Sequence, residues 1–171
     1  MHSHFELFGL SAAFLLDKEA LEKAYRELQS RVHPDRFASA GDAERRASMQ
    51  MTARVNEAYR ALKDPVQRAK YILELHGVDV AFETDTQMPT DFLLQQLEMR
   101  EQLEAALGRK DAGFLDTLRG SLAGQRKLLE NQIGESIDAR KDYAGAAGLV
   151  RKLMFLQRID DEIDAAYEAI E

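Results

Sequence analysis

Apolar residues recur along this chain at intervals of three and four, and the recurrence is broken at only a few places. Leu21, Ala24, Tyr25, Leu28 and Val32 keep the i, i+3, i+4, i+7, i+11 spacing of a helix that buries one stripe. Asp17 stands where its N-cap belongs, although Ala20 occupies the position that a capping box fills with Glu. Pro34 ends this helix and disfavours the α conformation for His33. The polar stretch Asp35 to Asp42, which contains Gly41, reads as a loop. A second stripe follows in Ala47, Met51, Val55, Ala58, Tyr59 and Leu62, predicting a helix from near Asp42 to about Leu62. Asp64-Pro65 pairs a cap with a proline at the first helical position, so another helix opens there. It carries Val66, Ala69, Ile72 and Leu73 and closes near His76-Gly77. Ahead of all these, Phe5 to Leu10 is a short apolar segment of one or two turns ending near Gly9.

The pattern changes between Val78 and Pro89, where the helical period is lost and β-branched, acidic and turn residues mix. Three long helical patterns then run from about Thr90 to Leu107, closed by Gly108, from near Asp111 to Ile133, and from Ile137 to Ile170. Their short connections imply antiparallel neighbours and a three-helix bundle. The expected architecture is therefore all-α. Residues 1–76 form a helical hairpin flanked by short helices, 77–89 a joint, and 90–171 the bundle.

Composition supports this and narrows the chemistry. With 45% hydrophobic residues the chain can build a core, and Ala, Leu, Glu, Arg and Gln favour helix. A formal charge of -7 works against general nucleic-acid binding, which needs a basic face. The absence of cysteine removes disulfides, thiol catalysis and cysteine metal sites, and fits a reducing compartment. The opening Met1-His2-Ser3-His4-Phe5-Glu6 lacks the regions of a secretory signal, and no apolar run is long enough to span a membrane. A cytoplasmic protein without membrane or nucleic-acid partners is the expectation. His2 and His4 are read as solvent-exposed tail residues, so no metal or other cofactor is expected.

The candidate chemistry centres on His33-Pro34-Asp35. Such a tripeptide arises by chance in about one chain in a hundred of this length, so its surroundings decide its weight. Tyr25-Arg26-Glu27-Leu28 precedes it. Val55-Asn56-Glu57-Ala58-Tyr59-Arg60-Ala61-Leu62-Lys63-Asp64-Pro65-Val66-Gln67-Arg68-Ala69-Lys70-Tyr71 follows. Proline pre-sets the backbone and holds an imidazole and a carboxylate outside both helices, which suits recognition by a partner. These residues together resemble a J domain, and the resemblance covers about the first 75 residues. It implies that the tripeptide and a basic face engage a DnaK-type ATPase chaperone. Here that face would comprise Lys23, Arg26, Arg31 and Arg36. An ordinary solvated face is the competing reading, because Glu19, Glu22 and Glu27 are interspersed.

The second half narrows the resemblance. Phe92-Leu93-Leu94-Gln95-Gln96-Leu97-Glu98-Met99-Arg100-Glu101 and Val150-Arg151-Lys152-Leu153-Met154-Phe155-Leu156, with Arg36-Phe37-Ala38 and Ala69 to Gly77, resemble the HscB family of iron–sulfur cluster assembly co-chaperones in its simpler bacterial form. Members with an N-terminal zinc-binding cysteine pair differ, since cysteine is absent here. The resemblance implies an HscA-like chaperone as one partner and an IscU-like cluster scaffold protein as the other. It places scaffold binding on Leu93, Leu94, Leu97, Glu98, Arg100, Glu101 and Phe155.

Helical geometry bears on the same residues. Phe92, Gln96, Met99, Leu103 and Ala106 fall near one line, the expected core stripe, while Leu93, Leu94 and Leu97 lie about 100° to 200° away. They form a second apolar strip that the bundle leaves unaccounted for. In the last helix Leu149, Leu153, Leu156 and Ile163 share a face, and Phe155 is expected about 120° from it. Packing of the strip against the N-terminal half is the alternative. The leading expectation is a non-enzymatic adaptor, because a glycine-rich phosphate loop is lacking. A J-domain adaptor for another client is the runner-up. A hydrolase built on His33 and Asp35 has neither a nucleophile nor a metal cluster to work with.

Overall fold

The computed structural model describes residues 2–80 and 88–171. Its chain separates into two compact units, Met1–Leu75 and His76–Glu171. All regular elements among the described residues are helical. Most of the expected joint at 77–89 lies outside the described residues. Of its described part, Gly77 has φ 72°, which glycine adopts without strain, and Val80 is buried.

In the first unit α1 is His4–Leu7, α2 Lys18–Val32, α3 Asp42–Lys63 and α4 Pro65–Leu75. Local chemistry sets each start. Ser3 and Glu6 form a reciprocal capping box on α1. Asp17 Oδ1 accepts from the amides of Glu19 and Ala20 at 3.0 and 3.3 Å. Asp64 Oδ1 accepts from Val66 and Gln67 at 2.7 and 3.1 Å, with Pro65 opening α4 as expected. The core joins Phe5, Phe8 and Phe14 to Leu21, Val55, Ala58, Leu62, Ala69, Ile72 and Leu73. Tyr25 and Tyr59 stack across α2 and α3 with centroids 3.9 Å apart.

Two expectations fail in α3 and in the segment before it. Ala47 and Met51 are exposed, and the buried residue of that stretch is Ser48. Ser48, Val55 and Leu62 recur every seven residues and share one line on the helix, so the true stripe passes through a polar residue that an apolar count skips. The Asp35 to Asp42 segment is not wholly irregular either. Pro34–Phe37 forms a 3-10 turn, closed by the Arg36 amide donating to His33 O at 3.0 Å.

In the second unit α5 is Thr90–Arg109, α6 Ala112–Gly134 and α7 Tyr143–Ile170. Helix α5 runs past Gly108, the expected stop, and Lys110 takes the left-handed turn at φ 53°. The amides of Lys110 and Asp111 then close on Leu107 O and Ala106 O at 3.1 and 3.0 Å, so backbone bonding makes the cap without a glycine. The last helix begins at Tyr143 rather than Ile137, because residues Glu135–Ala139 extend α6 by a π turn. Asp142 caps α7 through Gly145 N at 2.9 Å. Leu115, Leu122, Ile133, Val150, Leu153, Ile159 and Ile163 form the innermost layer. Over it, Arg126 donates to Asp160 and Gln157 at 3.1 and 2.8 Å, Arg119 pairs with Asp164, and the Tyr167 hydroxyl donates to Asp116. These clamps lock α6 to α7. By contrast, Thr90 to Glu98 of α5 include no buried side chain.

Candidate functional site

The end of α2 presents the tripeptide. His33 adopts φ -57°, ψ 133°, the extended geometry that Pro34 demands of it. Its Nδ1 accepts the Asp35 amide at 3.2 Å. The Asp35 carboxylate is 91% exposed and stands 3.6 Å from the same Nδ1. Imidazole and carboxylate are thus held side by side on a turn that contributes nothing to the core.

The four basic residues expected beside it are all exposed, but only part of the set is available as bare charge. Arg26 pairs with Glu22 at 3.1 Å, and Arg36 donates to Ser30 O at 3.3 Å, which folds it back onto α2. Lys23 and Arg31 complete the face. Beneath it, Tyr25 donates to Asn56 at 2.7 Å and Tyr59 to Glu22 at 3.1 Å. Burial first, and then the bond to Glu22, push the Tyr59 hydroxyl above its usual value.

Among the described residues of this unit, Arg68 is the buried charge. Its Nε donates to Phe14 O at 2.6 Å and its Nη1 to Leu62 O at 2.7 Å, with the guanidinium 5.1 Å from the Phe14 ring. It ties the segment before α2 to the end of α3, so the arginine that follows Asp64-Pro65 is an architectural residue.

The apolar strip on α5 is in solvent. Leu93, Leu94 and Leu97 are 47%, 59% and 57% exposed, and Glu98 and Glu101 flank them on the surface. Arg100 reaches Glu162 at 3.8 Å and lies 5.9 Å from the Phe155 ring. Phe155 is the exception in the expected set. It is 6% exposed and meets Phe92 edge-on at 5.6 Å. Three helices offer a residue on α7 two buried directions, toward α6 and toward α5, and Phe155 takes the second. It holds up the front of α5, aided by Lys152 over the Phe92 ring at 5.5 Å.

His4 also departs from expectation. It stacks on Tyr71 at 4.3 Å, its backbone amide donates to the Tyr71 hydroxyl at 2.9 Å, and burial lowers its pKa. Nothing at the apolar-period level signals this, although the Ser3-to-Glu6 capping spacing does mark a helix there. Among the described residues, no group of three or more His, Asp or Glu side chains is placed to hold a metal, and no helix is long and apolar enough to cross a membrane.

Known proteins carry the same two parts. Residues 3–71 match the DnaJ domain model, and residues 88–164 match the HSCB C-terminal oligomerisation domain. The co-chaperone protein HscB homolog of Burkholderia thailandensis is 50% identical over 169 residues, 99% of this chain and 96% of that one. The chain belongs to the HscB family. Two solved HscB structures share its fold. Chaperone HscB from Vibrio cholerae matches with a TM-score of 0.86 at 32% identity, covering 99% of this chain and all of that one. Human co-chaperone protein HscB matches at 0.89 and 25% identity, covering 96% and 82%. The first unit of this HscB-family chain is accordingly a J domain and the second an HscB C-terminal helical domain.

Proposed function

We propose that this HscB-family co-chaperone stimulates the ATPase of an HscA-like chaperone of the DnaK type and delivers an IscU-like iron–sulfur scaffold protein to it, assisting iron–sulfur protein maturation. His33, Pro34 and Asp35, with Lys23, Arg26, Arg31 and Arg36, engage the chaperone. Leu93, Leu94, Leu97, Glu98, Arg100 and Glu101 engage the scaffold, with Phe155 as the support beneath them. Residues 1–76 carry the first task, 90–171 the second, and 77–89 join them. The chain does no chemistry of its own and works in the cytoplasm. Holding the scaffold near the chaperone raises its effective concentration there, and favouring the hydrolysis-competent chaperone couples the two events.

The observation that carries this reading is the display of Leu93, Leu94 and Leu97 in solvent by a unit that buries most of its other large apolar residues. Exposing three leucines on one turn and a half of helix has no benefit for an isolated bundle.

The test is the ATPase rate of an HscA-like chaperone with and without both this protein and the scaffold. His33→Gln is expected to abolish stimulation while leaving circular dichroism and scaffold affinity unchanged. Leu97→Ala is expected to weaken scaffold binding about tenfold with the fold intact. Equal stimulation by the His33 variant overturns the chaperone assignment, and unchanged scaffold capture by the Leu97 variant overturns the assignment of the strip.

A further inference from the structure

Ser48 is a buried hydroxyl on the core-facing line of α3. Its Oγ donates to Val32 O at 2.6 Å. Thr52, one turn further along α3, donates its Oγ1 to the same oxygen at 3.1 Å. A buried hydroxyl is costly without a partner, so its partner indicates what it does.

Val32 is the last residue of α2, and the last carbonyls of a helix have no intrahelical amide to accept. Had α2 continued, the amide of Arg36 would serve Val32 O, but it closes the 3-10 turn on His33 O instead. Pro34 brings no N–H at all. Val32 O is left to the two hydroxyls, which fill both of its lone pairs. That carbonyl belongs to the peptide linking Val32 to His33. Fixing its direction fixes the plane on the N-terminal side of His33. On the other side, Pro34 restricts its own φ and the His33 ring holds the Asp35 amide. The tripeptide is therefore constrained at both ends, and the constraint at its base comes from α3.

We infer that Ser48 and Thr52 are positioning residues, which hold the Val32 carbonyl so that His33, Pro34 and Asp35 meet the chaperone in a single orientation. The inference rests on the proposed chaperone reading. Small displacements of a recognition group cost more in the activated state than in binding. Loss of the two hydroxyls should thus lower maximal stimulation and spare affinity, because the basic face of α2 is untouched.

The experiment measures single-turnover ATPase stimulation of an HscA-like chaperone against concentration of the full chain. The variants are Ser48→Ala with Thr52→Val, the hydroxyl-keeping pair Ser48→Thr with Thr52→Ser, and His33→Gln. Circular dichroism melts and the Asp35 amide resonance are followed alongside. The first variant should lose about fivefold in maximal stimulation, with its half-saturating concentration within about twofold of the parent and a displaced Asp35 resonance. The hydroxyl-keeping pair should restore both. The inference is overturned if the first variant stimulates like the parent. It is equally overturned if stimulation falls only in step with folded fraction, whether or not the hydroxyls are kept. A parent chain that fails to stimulate removes the underlying reading, whereas a parent that stimulates beside an unimpaired first variant removes this inference alone.

Discussion

At the end of α2 the exposed candidate residues are polar, and the backbone beneath them is tied down. Val32 O takes two hydroxyls, and the His33 ring takes the Asp35 amide. At the front of α5 the apolar candidates are exposed leucines on an ordinary helix, and the support beneath includes Phe92 against Phe155, with Lys152 over the Phe92 ring. The difference fits the two kinds of recognition proposed for them. A hydrogen-bonding group discriminates by direction, so its frame must be stiff. An apolar side chain is indifferent to direction and needs only to be displayed and kept from collapsing into its own core. One surface is therefore specified by backbone bonds, the other by what α7 places under it.

The comparison breaks most visibly at Phe155. Phe155→Ala should open a cavity beneath α5 and cost about 3 kcal/mol, seen as a lower urea midpoint and faster amide exchange across Thr90 to Glu98. A side chain that served contact alone would leave both unmoved. The corresponding blow to the other unit is Arg68→Met, which removes the donors to Phe14 O and Leu62 O and should cost about 2 kcal/mol. Its unfolding curve should show the loss in the J domain, with the α5 amides still protected.

The smallest effect is one of pH. Burial, assisted by Arg54 and opposed by Glu57, holds the His4 imidazole below its ordinary 6.5. The unfolded chain thus binds this proton more readily than the folded one, so the stabilising contribution is whole above 6.5 and is lost as pH falls through the lowered folded value. Between about pH 7.5 and 5.5 the J domain's urea midpoint should drift down, and His4→Phe, which keeps a ring on Tyr71, should flatten the drift. An unchanged slope in that variant assigns the dependence elsewhere.

The helices were legible because their apolar spacing is regular, and α2 and α4 begin where Asp17 and Asp64-Pro65 say they should. The exposed leucines were legible for the same reason, since the buried line of α5 runs through Met99, Leu103 and Ala106 and Leu93, Leu94 and Leu97 are off it. The features missed have separate causes. Ser48 and Lys110 do their work through backbone carbonyls and amides, which an apolar count cannot register. Phe155 was misplaced because a helix in a three-helix bundle has two buried directions, and periodicity about one axis describes only the stronger. His4 was missed because its partner, Tyr71, is far away in sequence.

The π turn at Glu135–Ala139 has a consequence of another kind. Its closing bond joins the Arg140 amide to Glu135 O at 3.0 Å, five residues back, so the helix holds one residue more than its path requires. Such a turn is a store of spare chain. A deletion of one residue there would revert the turn to ordinary pitch and leave the flanking segments in register.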